Sequence, residues 1–563
     1  MNLNAIKRLT TILAVVFAVL LIVSFIPFIP QKSEVKDETT GEVSEVTKHV
    51  NFWGAVKVEE NKDVDLDLLP GEVRTTSRLT TFYIFQPLER SEIQEIKVNN
   101  EFGGYRVYRD ATDTFQLDGF TGLSFDPEVF SSLVVSAGKP TVMMRVAQDL
   151  DEAGLAEYGL DHPQASWTLT ATNGDVYTLY VGDELLTEGG YYVSYEARPG
   201  AVYIMSTTIG DTILQPAYKL LSPLLTAGLS TNTYMFVNEF TVWHGNDLFV
   251  NIRKAKPEEQ KNPDAIVEAL LLYPRPGDRS GGDAYEINDN EYFTVLYNLM
   301  ALEGEEVVAF LPTDEELEEH GLVITDDDLP AYTIRYNFDV TDEDTGKSQN
   351  YEFTVFVSQR QSDGCYYAVS NLYGYTTLVK VGVDKLGWLE DDAFRWIFPT
   401  PFFENITKVS RITLKGDDVD VDYRLTHGFA EDGTTPTLEV DEVKSGVHIP
   451  NAEVNNFRQY YKTMLNITNQ EYAALTEEDR AALIADESRV RLTMTYEDTA
   501  GMATEFRFYQ YYSESTGHIS GGKIFVVVNG VGEFYTTNDL VDKVVNDTAR
   551  VLDGLDVDAY GQN

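Results

Sequence analysis

A pattern that occurs three times along the chain constrains the fold more than any other feature. Each copy begins with a strand, a turn and a strand, continues with an amphipathic helix and an alternating strand pair, and ends with a tyrosine-rich strand. The copies differ in length, so we expect similar units with insertions rather than a solenoid of constant period. They occupy residues 91–225, 235–398 and 405–552.

Glycine-containing turns mark the first hairpin of each copy. Gly103-Gly104, Gly245 and Gly416 stand between runs of strand-forming residues, which is the pattern of a β-hairpin. The predicted strand pairs are 95–98 with 105–108, 239–242 with 248–250, and 411–414 with 419–422.

An amphipathic helix follows each hairpin. In the first copy Asp126 supplies an N-cap and Pro127 the first helical position. Apolar residues at helical spacing predict that each helix covers one face of a sheet, and burial explains their aromatic members better than a ligand platform does. The predicted buried faces are Val129, Phe130, Leu133 and Val134; Phe293, Leu296, Tyr297 and Met300; and Val454, Phe457, Tyr461 and Met464.

A second hairpin and a further strand complete each copy. In the first copy Trp167 and Leu169 alternate with polar residues before Asn173-Gly174, a strong signal for a two-residue hairpin turn. The other alternating pairs are 332–338 with 351–357 and 490–496 with 506–508, and the following strands are predicted at 189–193, 365–369 and 523–527.

These repeats predict an α+β fold in which one N-terminal transmembrane helix precedes three β-rich modules, each an antiparallel sheet with a covering helix. Pro223, Pro399 and Pro401 mark the joints, because proline lacks the N–H donor that a continuing helix or central strand needs. We expect the modules to fold as separate units that do not share a core. We also expect residues 254–282 to form a loop on the surface of the second module. The predicted divisions are a cytoplasmic tip and anchor (1–30), a stalk and lead-in strand (31–74), three modules (75–228, 229–400 and 401–555) and a tail (556–563).

An apolar run near the N-terminus predicts one membrane crossing. Leu9 to Ile29 spans roughly 31 Å as a helix at about 1.5 Å per residue. Lys7 and Arg8 precede the run and acidic residues follow it, which places the N-terminus in the cytoplasm and the rest of the chain outside. A cleaved signal peptide is the alternative, although the run is long for one and no small-x-small cleavage site follows it.

Charge and cysteine content narrow the function classes. The chain has 91 acidic and 43 basic residues and a net charge of −48, which repels phosphates and argues against nucleic-acid binding. The single cysteine, Cys365, cannot form an intramolecular disulfide, a composition typical of a bacterial exterior rather than a eukaryotic secretory product.

Motifs that carry chemistry are absent from the sequence. It contains no zinc-binding His-Glu-x-x-His helix, no nucleophile elbow, no phosphate-binding loop and no dinucleotide fingerprint. Cys365 lies in a strand pattern and is interpreted as a small buried residue. We therefore predict no catalytic, cofactor-binding or metal-binding residues, and interpret the scattered histidines as structural: His49, His162, His244, His320, His427, His448 and His518.

Two acidic clusters offer oxygen ligands of the kind that bind Ca²⁺. Neither matches an EF-hand loop, and a solvated charged edge that prevents sheet association is the simpler interpretation. The clusters are Asp417, Asp418, Asp420 and Asp422, and Asp326 to Asp328 with Asp339, Asp342, Glu343 and Asp344.

Residues 150–215 resemble the bacterial domain of unknown function 4340. The resemblance rests on Gly159-Leu160-Asp161-His162-Pro163, Asn173-Gly174, Leu179-Tyr180-Val181-Gly182-Asp183, Gly190-Tyr191-Tyr192-Val193 and Val202-Tyr203-Ile204. It implies a membrane-anchored protein that assists gliding-motility-type ABC transport components, and it brings no catalytic residues. The second and third copies lack the full Gly-Leu-Asp-x-Pro signature.

Three functional classes follow from these observations. The favoured class is a membrane-anchored extracytoplasmic accessory subunit that contacts an ABC transporter permease or another envelope protein. The second is an extracytoplasmic binding or sensing module, for example for a glycan, which exposed tyrosine platforms would favour. The third is an enzyme whose site forms from residues far apart in the sequence.

Overall fold

The chain divides into two compact units, residues 1–220 and 221–563. No helix in the described part of the chain is long and apolar enough to cross a membrane, and the predicted anchor lies outside that part except for Ile29. The computed structural model describes residues 29–36, 43–50, 66–75, 80–186, 189–210, 212–226, 237–259, 270–273, 284–325, 329–341, 345–402, 404–416, 418–449, 454–473, 475–512 and 519–561.

The first unit contains a two-stranded hairpin and a ten-stranded antiparallel sheet, here called sheet 1. Strand β1 (Ile29–Lys36) pairs with β2 (Val43–Val50), so residues 29 and 30, at the end of the predicted anchor, form a strand together with part of the predicted stalk. Residues 51–65, which include the predicted lead-in strand, lie outside the described residues. The strands of sheet 1 are β3 (Val73–Arg74), β4 (Phe82–Tyr83), β5 (Ile93–Asn100), β6 (Gly103–Arg109), β7 (Phe115–Leu117), β8 (Thr141–Ala147), β9 (Ala165–Ala171), β10 (Val176–Glu184), β11 (Tyr191–Tyr195) and β12 (Arg198–Met205); its helices are α1 (Pro127–Gly138) and α2 (Glu152–Ala156).

The second unit contains two nine-stranded antiparallel sheets, sheets 2 and 3. Sheet 2 has strands β13 (Val237–His244), β14 (Asp247–Lys254), β15 (Leu270–Leu272), β16 (Tyr285–Glu286), β17 (Glu306–Phe310), β18 (Tyr332–Thr341), β19 (Ser348–Val357), β20 (Tyr366–Ser370) and β21 (Thr377–Val381), with helices α3 (Asp289–Leu299), α4 (Asp314–Glu319) and α5 (Val383–Leu386). Sheet 3 has strands β22 (Val409–Gly416), β23 (Asp420–Phe429), β24 (Pro436–Glu442), β25 (Val447–Ile449), β26 (Glu471–Tyr472), β27 (Val490–Asp498), β28 (Ala503–Tyr512), β29 (Ile519–Val528) and β30 (Val531–Thr537), with helices α6 (Val454–Leu465), α7 (Glu477–Ala485) and α8 (Asn538–Leu552).

One strand order occurs in all three sheets. Both predicted hairpins of every copy are confirmed, but the turn between β9 and β10 contains three residues, 172–174, instead of the predicted two, with Gly174 at φ 91°. The strand that follows the long helix, which the sequence analysis did not identify, pairs with the last strand of the copy. The shared orders are β7-β6-β5-β9-β10-β11-β12-β8, β15-β14-β13-β18-β19-β20-β21-β17 and β24-β23-β22-β27-β28-β29-β30-β26.

Each long helix packs on one face of its sheet. Phe130 and Leu133 of α1 are buried in the core of sheet 1, and Phe457 and Met464 of α6 are buried in the core of sheet 3, as predicted. The short helices α4 and α7 contribute to separate apolar clusters with side chains of sheets 2 and 3. These layers agree with the predicted α+β class.

The predicted buried face of α3 is partly right. Leu296 and Met300 are buried as expected, but Tyr297 is 67% exposed, and Tyr292 and Leu299 are also buried. The ring of Tyr292 packs edge-on against Phe240 at 5.9 Å between centroids. Two apolar stripes overlap on this helix, so contact with the sheet decides which one is buried.

The segment 254–282, predicted to be a surface loop, contributes one strand to sheet 2. Leu270–Leu272 forms β15, and Leu272 pairs with Ile252 of β14. Leu272 is 6% exposed, so this part of the segment extends the core of sheet 2. The proline, glycine and charged residues around its leucine run favour a surface loop, which is why the sequence does not predict this strand.

A buried ion network attaches residues 66–75 to sheet 1. The Glu72 side chain is fully buried and accepts hydrogen bonds from Arg145 Nη1 at 2.7 Å and Arg198 Nη1 at 3.2 Å. It also accepts from Tyr203 Oη at 2.8 Å and from the Leu69 N–H at 2.8 Å. Burial of Tyr203, with the neighbouring Glu72, raises the pKa of this phenol to about 12, so it stays neutral and donates to the carboxylate. The segment is therefore fixed by charge-assisted hydrogen bonds.

Candidate functional site

A cleft, here called the junction cleft, lies between sheets 2 and 3 in the second unit. It encloses about 380 Å³. A volume of this size is at the lower end of the range for small-molecule sites. Its lining residues are Ala284, Tyr285, Glu286, Ile397, Phe398, Thr400, Pro401, Glu404, Asn469, Tyr496, Val526, Val528, Val531, Glu533 and Phe534.

The connection between the two sheets forms one wall of the cleft. The Phe398 N–H donates to the Glu286 carbonyl at 2.8 Å, which holds the connection against the edge of sheet 2. Farther along, the Asn469 N–H donates to the Pro399 carbonyl, and Phe402 is buried in the core of sheet 3. The connection thus packs against both sheets. The second and third modules therefore contact each other and are not the independent modules that we expected.

Aromatic and acidic side chains meet at the back of the cleft. Tyr285 Oη donates to Glu533 Oε2 at 2.9 Å, and Glu533 is only 8% exposed. Burial raises the pKa of Tyr285 well above its usual value, and Tyr472 and Glu533 add to the effect. The phenol therefore remains a neutral hydrogen-bond donor. The Phe534 ring lies edge-on to Tyr285 at 6.0 Å.

Asn469 brings an unused acceptor to the same cleft. Its side chain is 6% exposed, and its Oδ1 atom has no hydrogen-bond partner among the described residues. A buried amide oxygen without a partner carries a cost of about 1–3 kcal/mol, so such an atom is unusual in a folded protein.

The signature glycines of the first copy lie where backbone and side chains touch. Gly159 has φ 66°, and a Cβ there would overlap the Asp183 side chain. A Cβ on Gly182 would overlap the Tyr158 carbonyl oxygen and lie 2.9 Å from Leu160. The Asp183 N–H donates to that same carbonyl at 2.9 Å. These residues join the turn after α2 to strand β10.

Sheet 2 repeats this turn and sheet 3 replaces it. The Leu160 N–H donates to the Leu155 carbonyl at 3.1 Å, and the Leu322 N–H donates to the Leu317 carbonyl at 2.8 Å, in each case after a glycine with positive φ. In sheet 3 the Asp486 side chain instead caps a short 3₁₀ helix at 487–489. The turn therefore serves helix termination and packing.

Comparison with protein families agrees with the resemblance drawn from these residues. Residues 116–323 match the family model described as Domain of unknown function (DUF4340). The match runs from β7 of sheet 1 to the turn after α4, which is less than half of the 563-residue chain. Neither a curated protein nor a solved structure matches the chain.

The described histidine side chains make unrelated contacts. His162 has a side chain 95% exposed, and His320 Nδ1 lies 2.7 Å from the Glu316 carbonyl oxygen. His427 Nε2 lies 2.8 Å from the Val409 carbonyl oxygen, so this ring makes a backbone contact. The side chains of His49 and His518 are outside the described residues. Within the described ranges, no group of three or more histidine, cysteine, aspartate or glutamate side chains could hold a metal ion.

The described members of the acidic clusters have protein partners. Asp422 accepts from Nε and Nη2 of Arg411 at 2.8 Å each, which lowers the pKa of its carboxyl group. Asp420 pairs with Lys444, and Asp339 accepts from Asn238 and Asn350. Asp326 to Asp328, Asp342, Glu343, Asp344 and Asp417 lie outside the described residues.

Cys365 should react slowly with alkylating reagents. Its Sγ atom lies 4.0 Å from Glu305 Oε1, and burial together with this carboxylate raises the pKa of the thiol. Because the thiolate is the nucleophile, we expect iodoacetamide to modify Cys365 at pH 8 more slowly than an unstructured cysteine peptide. Glu305→Gln should accelerate the reaction, and Glu303→Gln, at an exposed position, should not. Faster reaction than the peptide would identify an activated thiol instead.

The junction cleft has no counterpart among the features predicted from the sequence. Its lining comes from residues 284–286, 397–404, 469, 496 and 526–534, which are far apart along the chain. No local spacing connects these segments. The nearest sequence signal was the proline-rich connection at 398–401, which was interpreted as a joint.

Proposed function

We propose that the chain is a membrane-anchored extracytoplasmic accessory subunit of an ABC-type transporter or another envelope complex. The observation that carries this proposal is the use of the matched family's signature residues for packing. Gly159, Gly182 and Asp183 join a turn to a strand, so the residues that carry the resemblance to the family maintain a module. A resemblance carried by packing residues fits an interaction role better than a catalytic one.

The proposed tether and the repeated sheets support the same role. The apolar run from Leu9 to Ile29 supplies the anchor, and tethering raises the local concentration of the exterior at a membrane partner. The net charge of −48 favours basic protein surfaces over phosphate-rich partners.

Crosslinking in native membranes tests the proposal. The full chain should recover a transporter or other envelope protein, whereas a version with residues 1–30 replaced by a cleavable signal peptide should lose about tenfold or more of that recovery. His162→Asn and Cys365→Ser should leave recovery unchanged and serve as controls. Equal recovery with and without the anchor, or repeated recovery of no envelope component, would refute the proposal.

Ligand binding outside the membrane is a second candidate, favoured by the junction cleft. Its glycan version lacks the support of an exposed tyrosine platform among the described residues. The exposed tyrosines there, Tyr297, Tyr351, Tyr375 and Tyr560, lie on a helix, a strand, a turn and the C-terminal segment.

A further inference from the structure

We infer that the junction cleft binds a small organic cation that carries N–H donors, such as a primary ammonium group. This inference is independent of the accessory role, because twelve of the fifteen residues that line the cavity lie beyond the family match.

The charge of the lining is one-sided. Glu286, Glu404 and Glu533 contribute three carboxylates, and the described lining contains no lysine, arginine or histidine. Carboxylates that share a cavity with low-dielectric walls create a negative potential, which attracts cations and disfavours anions. Glu533 is the most buried of the three, so the potential extends to the back of the cleft.

Aromatic side chains supply the second feature of a cation site. Tyr285, Phe398, Tyr496 and Phe534 line the same cavity as the carboxylates. The faces of aromatic rings attract cations, and the attraction is strongest when the cation is desolvated. A cavity that combines rings with carboxylates can therefore accept an organic cation that has lost part of its hydration shell.

Asn469 distinguishes an N–H-bearing cation from a quaternary one. Its Oδ1 atom is buried and has no partner among the described residues, although the side chain lines the cleft. An ammonium group carries several donors and no acceptor, as a lysine head group does. Rotation of the Asn469 amide would offer this oxygen to such a donor, and the Glu533 carboxylate would accept a hydrogen bond from it in addition to the one from Tyr285 Oη. A quaternary ammonium group has no N–H to satisfy either atom.

Calorimetric titration of the full chain in detergent tests the inference, with butylammonium, choline and butyrate as probes. Butylammonium should bind saturably, choline more weakly, and butyrate not at all. Glu533→Gln and Asn469→Ala should each weaken butylammonium binding at least about tenfold. Each substitution removes an oxygen that would accept a hydrogen bond from the bound ammonium group. Glu439→Gln removes the same charge from an exposed position on β24 and should leave binding unchanged.

Several outcomes would overturn the inference. They are absence of butylammonium binding, equal binding of butyrate, tighter binding of choline, or an equal loss from Glu439→Gln. Circular dichroism of each variant checks the fold, and Asn469→Ala carries the test if Glu533→Gln does not fold, since it leaves the pair of Tyr285 and Glu533 intact.

Discussion

Glu72→Gln should release residues 66–75 from sheet 1. The substitution removes the negative charge that faces Arg145 and Arg198, whose side chains are only 12% and 17% exposed. Breaking a buried ion pair by removing one partner costs about 3–5 kcal/mol. Hydrogen exchange in the full chain should show the amides of this segment, including the Glu72 N–H bonded to the Leu69 carbonyl, exchanging on the order of a hundredfold faster.

Glu101→Gln is the matched control for this change. Glu101 is exposed in the turn between β5 and β6, so its replacement should alter stability by less than about 0.5 kcal/mol. Unchanged exchange at 66–75 in Glu72→Gln would mean that apolar contacts, such as those of Leu66 and Leu68 with the core of sheet 1, hold the segment without the ion network.

Gly182→Ala should destabilise the first unit by about 3 kcal/mol. The added Cβ would overlap the Tyr158 carbonyl oxygen, and a backbone atom cannot rotate away as the end of a flexible side chain can. Relief would separate β10 from the turn after α2 and weaken the bond from the Asp183 N–H. We expect the urea midpoint for loss of protease resistance of the first unit to fall by about 1 M or more.

Gly174→Ala separates the steric effect from the conformational one. Gly174 has φ 91°, but a Cβ added at this turn would meet no atom within 4 Å beyond its own chain neighbours. Its substitution should cost about 1 kcal/mol through backbone conformation alone. A loss from Gly174→Ala as large as that from Gly182→Ala would show that the close approach at Gly182 contributes little to stability.

The hairpins were predictable from sequence because their signals are local. Asn173-Gly174 lies between two alternating runs, which located the hairpin, but the observed register pairs Trp167 with Leu179 and so leaves three residues in the turn instead of the predicted two. The strand that follows the long helix of each copy (β8, β17 or β26) was not predictable in the same way. β26 has only two residues, Glu471 and Tyr472, and pairs with β30 more than 60 residues later, so no periodicity could reveal it.

The buried face of α3 and the junction cleft could not be predicted from the sequence, because both are determined by tertiary contacts. The sequence around α3 offers two overlapping apolar stripes, and only packing of Tyr292 against Phe240 selects between them. Likewise, Tyr285 and Glu533 are 248 residues apart and meet because sheets 2 and 3 pack together. Neither residue belongs to a motif, so composition could suggest an acidic protein but not this pair.

The shared strand order limits when each sheet can be completed during synthesis. β8 leaves the ribosome before β9 to β11 but pairs with β12, and β17 and β26 likewise precede their partners β21 and β30. The edge of β8, β17 or β26 that pairs with the last strand of its copy therefore stays unpaired until that strand has been synthesised. Every such pairing stays within one copy, so a growing chain can finish one sheet before the next has been translated.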